Sequence, residues 1–320
     1  MAIRHLLSLA ELGPQNLSHL VNQSFSYAAA REEPANPLAG KIVGIYFRGP
    51  STRTRTSFTV GAIRLGAQTV SYGPHDLQIA TGETLHDTAR VLSGFLDALV
   101  IRTNQGIDEM KELAEQNKMA IINAMSENEH PTQAIADLST IREAFGRLDD
   151  VHVLYLGEGN NSAAALALAV SQTPGMRLTL VTPEGYGLAE DVLETAQGLA
   201  AKHDSVIEHH HRIDYLPTDV DAVYATRWQT MGETKTDPHW LEKFAPYSVT
   251  PTLMAKVSKS SATILLHDLP AVRGQDVQDE VLDGAQSRAF RQAQHKLYSA
   301  MAVLRWCLAG EEATQIARHA

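Results

Sequence analysis

Residues 41–58 have the sequence KIVGIYFRGPSTRTRTSF, and this stretch decides the fold of the first half of the chain. The apolar run over residues 41–47 is typical of a short buried strand. From Phe58 onward, apolar residues follow at helical spacing, which predicts a helix with Ser51 as its N-cap. A strand that passes through a polar corner into a helix is the first part of a βαβ unit.

Other segments have the same strand-like composition, because each is short, rich in Ile, Val and Leu, and followed by polar residues or a helical pattern. They cover residues 97–103, 120–125, 151–156, 177–182, 206–210, 221–226 and 263–267. Strands that alternate with helices predict right-handed βαβ units and a parallel sheet in each half of the chain. The predicted fold class is therefore α/β, with two doubly wound parallel-sheet domains joined by interdomain helices.

Two predicted helices connect the halves of the chain. One covers residues 131–145 and stops at Gly146, and the other covers residues 290–308. We expect a first domain of residues 1–130, completed by the C-terminal helix 290–320, and a second domain of residues 131–289. Open α/β sheets bind ligands beyond the carboxyl ends of their strands, so functional residues should directly follow strands.

The composition argues against several classes of protein. The 320 residues carry a formal net charge of −10, which disfavours nucleic acid as the main partner. No apolar run reaches the roughly 18 residues of a membrane span, and we expect no signal peptide. The lone cysteine, Cys307, excludes an internal disulfide framework and fits a cytoplasmic location. An anionic substrate would therefore need a local basic pocket.

The polar corner after the first strand has the composition of an anion site. Free backbone N–H groups and a partial positive charge lie at a helix N-terminus. The hydroxyls of Ser51, Thr52 and Thr54 add donors, and the planar guanidinium of Arg53 suits phosphate oxygens. Arg55 is one position out of phase and is expected to pack or pair structurally. An N-capped surface helix with solvated arginines is the alternative.

The sequence STRTR at residues 51–55 resembles the signature of the aspartate and ornithine carbamoyltransferase family. The likeness continues in the family's order through residues 78–92, 130–133, 230–233 and 267–270. It implies an enzyme that moves the carbamoyl group of carbamoyl phosphate onto the amine of a small amino-acid-like acceptor and releases phosphate. This donor carries a good leaving group, so no nucleophilic side chain is required, and the resemblance implies neither a metal nor an organic cofactor.

The resemblance assigns roles around the carbonyl group of the donor. Arg102 ends the second predicted strand and would bind the phosphate and the carbonyl oxygen, with a surface ion pair as the alternative. His130 and Gln133 share one face of the predicted helix and would hold the carbonyl oxygen and the NH₂ group. Thr54, Arg102 and His130 would stabilise the charge of the tetrahedral state. For His130, a histidine that caps the helix is the alternative.

Two further positions belong to the donor side by resemblance. The Leu269–Pro270 bond would be cis and would let backbone carbonyls meet the NH₂ group of the donor. Lys296 stands where relatives usually have an arginine. Lysine keeps the charge but lacks the bidentate fork, so weaker donor binding is expected.

The resemblance also implies a homotrimer, or a multiple of trimers, with active sites shared between subunits. Gln78 lies in segment 71–84, which by resemblance reaches into the site of a neighbouring subunit. An ordinary flexible loop is the alternative. Beyond the substrates and further copies of the chain, neither nucleic acid nor membrane is expected as a partner.

The predicted acceptor side departs from both branches of the family. Thr226 stands where ornithine enzymes carry an aspartate for the acceptor's α-amine. Arg227 and Gln229 resemble the carboxylate-binding pair of the aspartate enzymes, with a structural salt bridge as the alternative for Arg227. Thr230 and Met231 resemble the corresponding residues of the ornithine enzymes.

Asp268 is the sharpest departure, because ornithine enzymes have a cysteine and aspartate enzymes a proline at this point. A carboxylate at the end of a buried strand is costly unless paired, so we expect Asp268 to bind a cationic or hydrogen-bond-donating group of the acceptor. By likeness to the ornithine branch, Asn161 would contact the acceptor's α-carboxylate, and simple turn chemistry is equally compatible. The acceptor therefore need not be ornithine; a shorter diamino acid also fits.

Other hypotheses have weaker support. Thr226, Asp268 and Lys296 would also fit a non-catalytic paralogue that binds carbamoyl phosphate or an amino acid as a sensor or assembly partner. A nicotinamide-dependent dehydrogenase would rest only on the glycine-containing turn 157–162, which lacks the third glycine. The run of histidines at 209–211 predicts no metal site, since adjacent strand residues point to opposite faces.

Overall fold

The computed structural model describes residues 3–30, 36–229 and 234–309. The chain divides into two compact units, here called unit 1 (Met1–Ala136 with His295–Ala320) and unit 2 (Asp137–Gln294). Each unit contains a parallel sheet with helices, which confirms the predicted α/β fold class. The assignment of these units to donor and acceptor binding stays a prediction.

Unit 1 is built on the strands β1 (Ile42–Phe47), β2 (Gln68–Tyr72), β3 (Ala98–Arg102) and β4 (Ala120–Met125). They form a parallel sheet in the order β2-β1-β3-β4. Its helices are α1 (Pro14–Ala28), α2 (Arg53–Arg64), α3 (Leu85–Leu92) and α4 (Asp108–Leu113). Strands β1, β3 and β4 confirm the predictions within one residue at each end, whereas β2 was missed. Strand β2 lies at the edge of the sheet and is largely exposed, so it carries no apolar run to reveal it.

Unit 2 is built on the strands β5 (His152–Leu156), β6 (Arg177–Val181), β7 (Val206–His210), β8 (Ala222–Ala225) and β9 (Ile264–His267). Their parallel sheet has the order β7-β6-β5-β8-β9. All of these strands confirm the predictions within one residue at each end. The helices are α6 (Asn161–Val170), α7 (Glu190–His203), α8 (Trp240–Phe244), α9 (Pro251–Val257) and α10 (Asp279–Leu282).

Two long helices pass from one unit to the other along the chain. Helix α5 (Pro131–Phe145) has the predicted bounds, and α11 (Ala289–Leu308) begins one residue before its predicted start. Gly146 ends α5 with a φ of 72°, a conformation that glycine adopts without strain. Its N–H donates to the carbonyl of Arg142 at 2.8 Å and closes the last turn.

The strand order determines where each unit offers a binding site. In unit 1 the strand order reverses between β1 and β3, and in unit 2 it reverses between β5 and β8. At such switch points the loops leave in opposite directions and open a crevice at the carboxyl ends of the strands. Side chains that follow β1, β3, β5 and β8 are therefore the first candidates for a site.

The interiors of both sheets are apolar and closed to solvent. Strands β3, β4 and β5 are buried at every position, as expected for parallel strands with both faces covered. Within the described ranges, no helix combines the length and apolar character of a membrane span.

Candidate active site

The corner between β1 and α2 carries the first predicted site residues. The N-cap of α2 is Thr52, so the prediction of Ser51 as the N-cap is wrong. A capping hydroxyl accepts from the N–H two or three residues on, but Ser51 Oγ accepts from the N–H of Arg55, four residues on, at 3.4 Å. The side chain of Thr52 makes no capping hydrogen bond. Arg55 packs over the ring of Phe47, which confirms its predicted structural role.

Arg102, at the end of the adjacent strand β3, points to the same corner. Its Nη1 donates to Oγ1 of Thr54 at 3.4 Å, and the residue is 8% exposed. Burial, and then the nearby positive charge of Arg53, lower the pKa of Arg102 to about 10. The guanidinium remains protonated at neutral pH, so two positive charges share this corner.

His130 lies between β4 and α5 and is buried. Burial, and then the positive charges of Lys296 and Arg102, hold the pKa of His130 well below its usual range. The imidazole is therefore neutral at neutral pH. Lys296, on α11, donates a hydrogen bond to Oε1 of Gln133. Arg102, His130, Gln133 and Lys296 thus form one cluster within unit 1.

Gln78 is exposed and begins a 3₁₀ helix at Gln78–Thr81. Its Oε1 accepts a hydrogen bond from Oγ1 of Thr81 at 2.6 Å. Among the described residues, no hydrogen bond joins Gln78 to the corner at the start of α2. Its role in a neighbouring subunit stays a prediction.

The turn after β5 begins the predicted acceptor side. A Cβ on Gly159 would lie 2.2 Å from the backbone carbonyl carbon of Gly187, so only glycine fits there. Asn160 caps α6, and its Oδ1 accepts from the N–H groups of Ser162 and Ala163 at 3.0 and 3.1 Å. Asn161 is the first residue of α6 and is half-buried.

The predicted acceptor residue Asp268 has a partner on the neighbouring strand end. Oγ1 of Thr226 lies 3.2 and 3.1 Å from the two carboxylate oxygens of Asp268. The same Oγ1 accepts a hydrogen bond from Nδ2 of Asn160 at 3.0 Å. Sequence analysis missed Asn160, although an asparagine directly before a helical run is a recognisable capping signal.

The segment that follows β9 is fixed by His267. Its Nε2 lies 2.8 Å from Asp276, and its Nδ1 accepts the N–H of Leu269 at 2.9 Å. The Leu269–Pro270 bond is cis, as the resemblance implied, and Leu269 has a φ of 52°. Few residues with a branched side chain adopt this left-handed conformation.

Arg227 and Gln229, which follow β8, line a pocket of about 280 Å³ in unit 2. The other lining residues are Trp228, Trp240, Leu241, Val272, Gln275 and Asp276. Nε of Arg227 and Nε1 of Trp228 are buried and have no hydrogen-bond partner among the described residues. Two such N–H groups favour an oxygen-bearing ligand, because an unpaired buried donor is costly. Thr230 and Met231 lie outside the described residues.

A buried ion pair lies beside this region. Lys235 contacts Glu158, and their side chains are 7% and 12% exposed. The ammonium also lies 4.7 Å from the ring centre of Tyr186 and 5.1 Å from that of Phe244. Sequence analysis missed this pair, since no local pattern links residues so far apart in the chain.

The histidine run at 209–211 has protein partners. His209 Nε2 lies 2.8 Å from Oγ1 of Thr182, and His211 Nδ1 lies 3.3 Å from the same atom. His210 stacks on Tyr215. Within the described ranges, no three His, Cys, Asp or Glu side chains are grouped so that they could hold a metal ion.

Comparison with protein-family models matches both halves of the chain. The model described as "Aspartate/ornithine carbamoyltransferase, carbamoyl-P binding domain" matches residues 4–143. The model described as "Aspartate/ornithine carbamoyltransferase, Asp/Orn binding domain" matches residues 149–307. Together the matches span almost the whole chain.

Individual relatives agree with these matches. The ornithine carbamoyltransferase of Caldicellulosiruptor saccharolyticus is 38% identical over 304 residues, covering 94% of this chain and 97% of the relative. The solved ornithine carbamoyltransferase of Pyrococcus furiosus has a TM-score of 0.89 at 33% identity, covering 97% of this chain and 98% of that one. That of Gloeobacter violaceus has a TM-score of 0.84 at 33% identity, covering 97% and 100%. The chain therefore belongs to the aspartate/ornithine carbamoyltransferase family, on its ornithine branch, and is a carbamoyltransferase.

Proposed function

We propose that the protein transfers the carbamoyl group of carbamoyl phosphate to an amine of a small amino-acid-like acceptor and releases phosphate. The observation that carries this proposal is the cluster of Arg53, Thr54 and Arg102 at the start of α2. A chain with a net charge of −10 holds two guanidinium groups close enough for one to lower the pKa of the other. An anionic ligand offsets that repulsion, and phosphate offers the oxygens for a planar fork.

Each side chain of the corner has a role in this proposal. The phosphate accepts hydrogen bonds from the hydroxyls of Ser51, Thr52 and Thr54 and from the backbone N–H groups at the start of α2. Arg53 pairs with the phosphate oxygens. Arg102 reaches from β3 and binds both the phosphate and the carbonyl oxygen.

The reaction needs positioning and charge stabilisation rather than a nucleophilic side chain. The amine nitrogen attacks the carbonyl carbon, the bond to the phosphate oxygen breaks, and phosphate leaves with that electron pair. The departing phosphate accepts the proton that the amine releases. Thr54, Arg102 and a neutral His130 donate hydrogen bonds to the carbonyl oxygen as its negative charge grows. Gln133 and Lys296 hold the NH₂ group and the remaining donor oxygens.

The acceptor residues proposed in unit 2 recognise an amino acid by its charges. Arg227 and Gln229 bind a carboxylate, which the unpartnered Nε of Arg227 supports. Asp268 binds an amine or ammonium group. Asn161, Thr230 and Met231 complete the site by resemblance to the ornithine enzymes. An acceptor with both an amine and a carboxylate fits this set, and a diamino acid shorter than ornithine fits as well as ornithine.

We further propose that the protein is a cytoplasmic homotrimer, or a multiple of trimers, with shared active sites. Val91 and Phe95 support this proposal, because they are 51% and 68% exposed and lie four positions apart in unit 1. Large apolar side chains exposed together commonly mark a contact with another protein surface. Gln78 is exposed in the same unit and is free to face a neighbouring subunit's site.

The deciding experiment is a direct assay of transfer. The protein is incubated with carbamoyl phosphate and, in separate reactions, ornithine, putrescine, diaminobutyrate, diaminopropionate or aspartate. Formation of a ureido product and of phosphate is measured in each. We expect product with at least one diamino acid. If the protein binds carbamoyl phosphate but none of the amines gives product, the result would instead favour a non-catalytic paralogue.

Variants in the donor corner, which consists of residues 51–54 and Arg102, test the proposed phosphate site directly. Arg53→Ala should abolish binding of carbamoyl phosphate measured by calorimetry. Arg64→Ala, at the exposed end of the same helix, is the matched control and should bind normally. An unchanged donor dissociation constant for Arg53→Ala would contradict the proposed phosphate site.

A further inference from the structure

Side chains at the carboxyl ends of three adjacent strands form a hydrogen-bonded chain in unit 2. Asn160 lies in the turn after β5, Thr226 follows β8 and Asp268 follows β9, and these strands are neighbours in the order β5-β8-β9. Nδ2 of Asn160 lies 3.0 Å from Oγ1 of Thr226. That Oγ1 lies 3.2 and 3.1 Å from the two carboxylate oxygens of Asp268.

The helix cap fixes the direction of this chain. Oδ1 of Asn160 accepts the N–H groups of Ser162 and Ala163, so the amide nitrogen of Asn160 must face Thr226 and donate to it. A hydroxyl has a single hydrogen. Because Thr226 accepts from Asn160, its own hydrogen is available for Asp268.

No neighbouring cation neutralises Asp268 among the residues that the structure describes. His267 Nδ1 lies 3.5 Å from Oδ1 of Asp268, but it accepts the N–H of Leu269 and so carries no proton on that side. The Asp268 side chain is only 13% exposed. A carboxylate so buried, with one hydroxyl as its donor, gains strongly from a cationic ligand.

We infer that Asn160 and Thr226 are positioning residues that orient the Asp268 carboxylate towards the ammonium or amine group of the acceptor. This inference rests on the proposed function and specifies its acceptor site. Thr226 contributes a neutral donor and not a second carboxylate, so this part of the site carries one negative charge. Its ligand class is a diamino acid that brings one positively charged or hydrogen-bond-donating amine to this point.

Threonine variants test the inference directly. Thr226→Val keeps the shape of the side chain and removes the hydroxyl, whereas Thr226→Ser keeps the hydroxyl. For the amine that gives product, we expect Thr226→Val to raise the acceptor KM about 10- to 100-fold, the effect of losing a hydrogen bond to a charged group. The donor KM should stay near the wild-type value, and Thr226→Ser should restore most of the acceptor KM.

The matched control is Thr263→Val. Thr263 is a buried threonine just before β9, at the opposite end of the sheet, and its hydroxyl donates to the carbonyl of Val220 at 2.8 Å. Loss of the Thr263 hydroxyl should lower the free energy of unfolding without changing the acceptor KM. Asn160→Ser is the second test, since serine still caps a helix but is too short to reach Thr226. We expect unfolding temperatures near wild type and an acceptor KM raised about 3- to 10-fold, which is less than for Thr226→Val.

The outcomes separate this inference from the proposed function. A raised KM in Asp268→Asn together with unchanged values in Thr226→Val and Asn160→Ser would overturn the inference and leave the function standing. If no amine gives product, the proposed function fails, and calorimetry with diaminopropionate then compares wild type with Thr226→Ser and Thr226→Val. Equal dissociation constants would overturn the inference in that case also. Should Thr226→Val not fold, Asn160→Ser carries the test, and an acceptor KM unchanged in that variant would overturn the inference.

Discussion

The proposed donor corner of unit 1 (residues 51–54 and Arg102) and the proposed acceptor edge of unit 2 (Asn160, Thr226 and Asp268) lie at equivalent places in their sheets. They are built in different ways. Both follow the strands at which the strand order reverses. The donor corner draws most of its groups from one continuous segment, residues 51–54, and adds Arg102 from the neighbouring strand. The acceptor edge draws single residues from three strand ends and joins them by hydrogen bonds. In the proposed function, binding of the phosphorylated donor would thus depend on a local motif, whereas the acceptor would be recognised by a set of separate positions.

This difference would allow single acceptor positions to change while the motif of residues 51–54 stays the same. By resemblance, ornithine enzymes carry an aspartate at the position of Thr226 and a cysteine at that of Asp268. In this protein the Thr226 hydroxyl and the Asp268 carboxylate lie 3.1 to 3.2 Å apart. Relative to that pattern, the carboxylate stands at the end of a different strand and remains within the proposed acceptor site.

The largest expected effect separates the two regions. Arg102→Ala removes a proposed donor to the carbonyl oxygen and should lower kcat about 100- to 1000-fold. Because Arg102 belongs to the donor site, the loss should be the same with every amine that serves as an acceptor. Steady-state kinetics with two different amines check this. A loss that differs strongly between amines would mean that Arg102 also recognises the acceptor.

A second prediction concerns pH and again distinguishes the units. Glu129, directly before His130, accepts from the Ser8 hydroxyl and the Leu9 N–H at 2.6 and 2.8 Å. Burial is the main cause that raises the pKa of Glu129 to about 7. In unit 2, by contrast, Asp214, Asp237 and Asp283 have a lowered pKa, and an arginine or lysine partner is the main cause.

The sign of the pH effect follows from proton linkage. The folded chain holds the Glu129 proton up to about pH 7, and the unfolded chain releases it near the ordinary value of 4.5. Stability from this group is therefore complete below about pH 4.5 and is lost as pH rises through about 7, by up to about 3 kcal/mol. Glu129→Gln stays neutral and should raise the free energy of unfolding at about pH 8 but not at about pH 4. Urea unfolding at both pH values measures this, with exposed Glu127→Gln as the control. Equal gains at both pH values would contradict the linkage.

A third prediction concerns Lys296, the departure on the donor side. Lys296→Met removes a hydrogen bond to Gln133 and one of the two charges that lower the pKa of His130. We expect the donor KM to rise about tenfold, with the acceptor KM unchanged. The pKa of His130 should move upward but stay below its usual range, because burial is its larger cause. NMR titration of His130 measures that shift, and exposed Lys118→Met is the control.

Sequence analysis predicted every strand of the two sheets except β2. A parallel strand covered on both faces is a continuous apolar run, which explains why β3, β4 and β5 were found within one residue. Strand β2 pairs only with β1 and is mostly exposed, so its sequence is polar and resembles a loop. An exposed strand is harder to detect in this way, although β7, which is also partly exposed, was predicted from its place in the alternation of strands and helices.

The site could be predicted where its residues follow one another in the chain. Residues 51–55 and 130–133 carry their own signature, and the structure brings Arg53, Thr54 and Arg102 together. The contacts of Asn160 with Thr226 and of Lys235 with Glu158 depend instead on strand order and on side chains more than sixty positions apart. No spacing rule encodes them. The N-cap was misassigned by one residue because Ser51 and Thr52 are both capping residue types.

The smallest expected effect tests whether the acceptor edge depends on contacts outside the strand ends. Lys235 stands five positions after Thr230, and its ammonium pairs with Glu158 in the turn that holds Asn160. This ion pair connects the segment that contains Lys235 to the turn after β5. Without it, the proposed acceptor residues on either side should be held less firmly relative to each other.

Lys235→Met alone would remove the cation that contacts the buried carboxylate of Glu158 and would lower stability for that reason. The double variant Lys235→Met with Glu158→Gln removes both charges and separates stability from positioning. We expect it to unfold near the wild-type temperature but to show an acceptor KM raised about 3- to 10-fold, with the donor KM unchanged. Lys243→Met is the control, since its pair with Asp237 lies nearby but is 53% and 27% exposed. A normal acceptor KM in the double variant would mean that the strand ends alone define the acceptor site. The acceptor site would then need no support from Lys235 and would resemble the donor corner, which depends on few contacts outside its own residues.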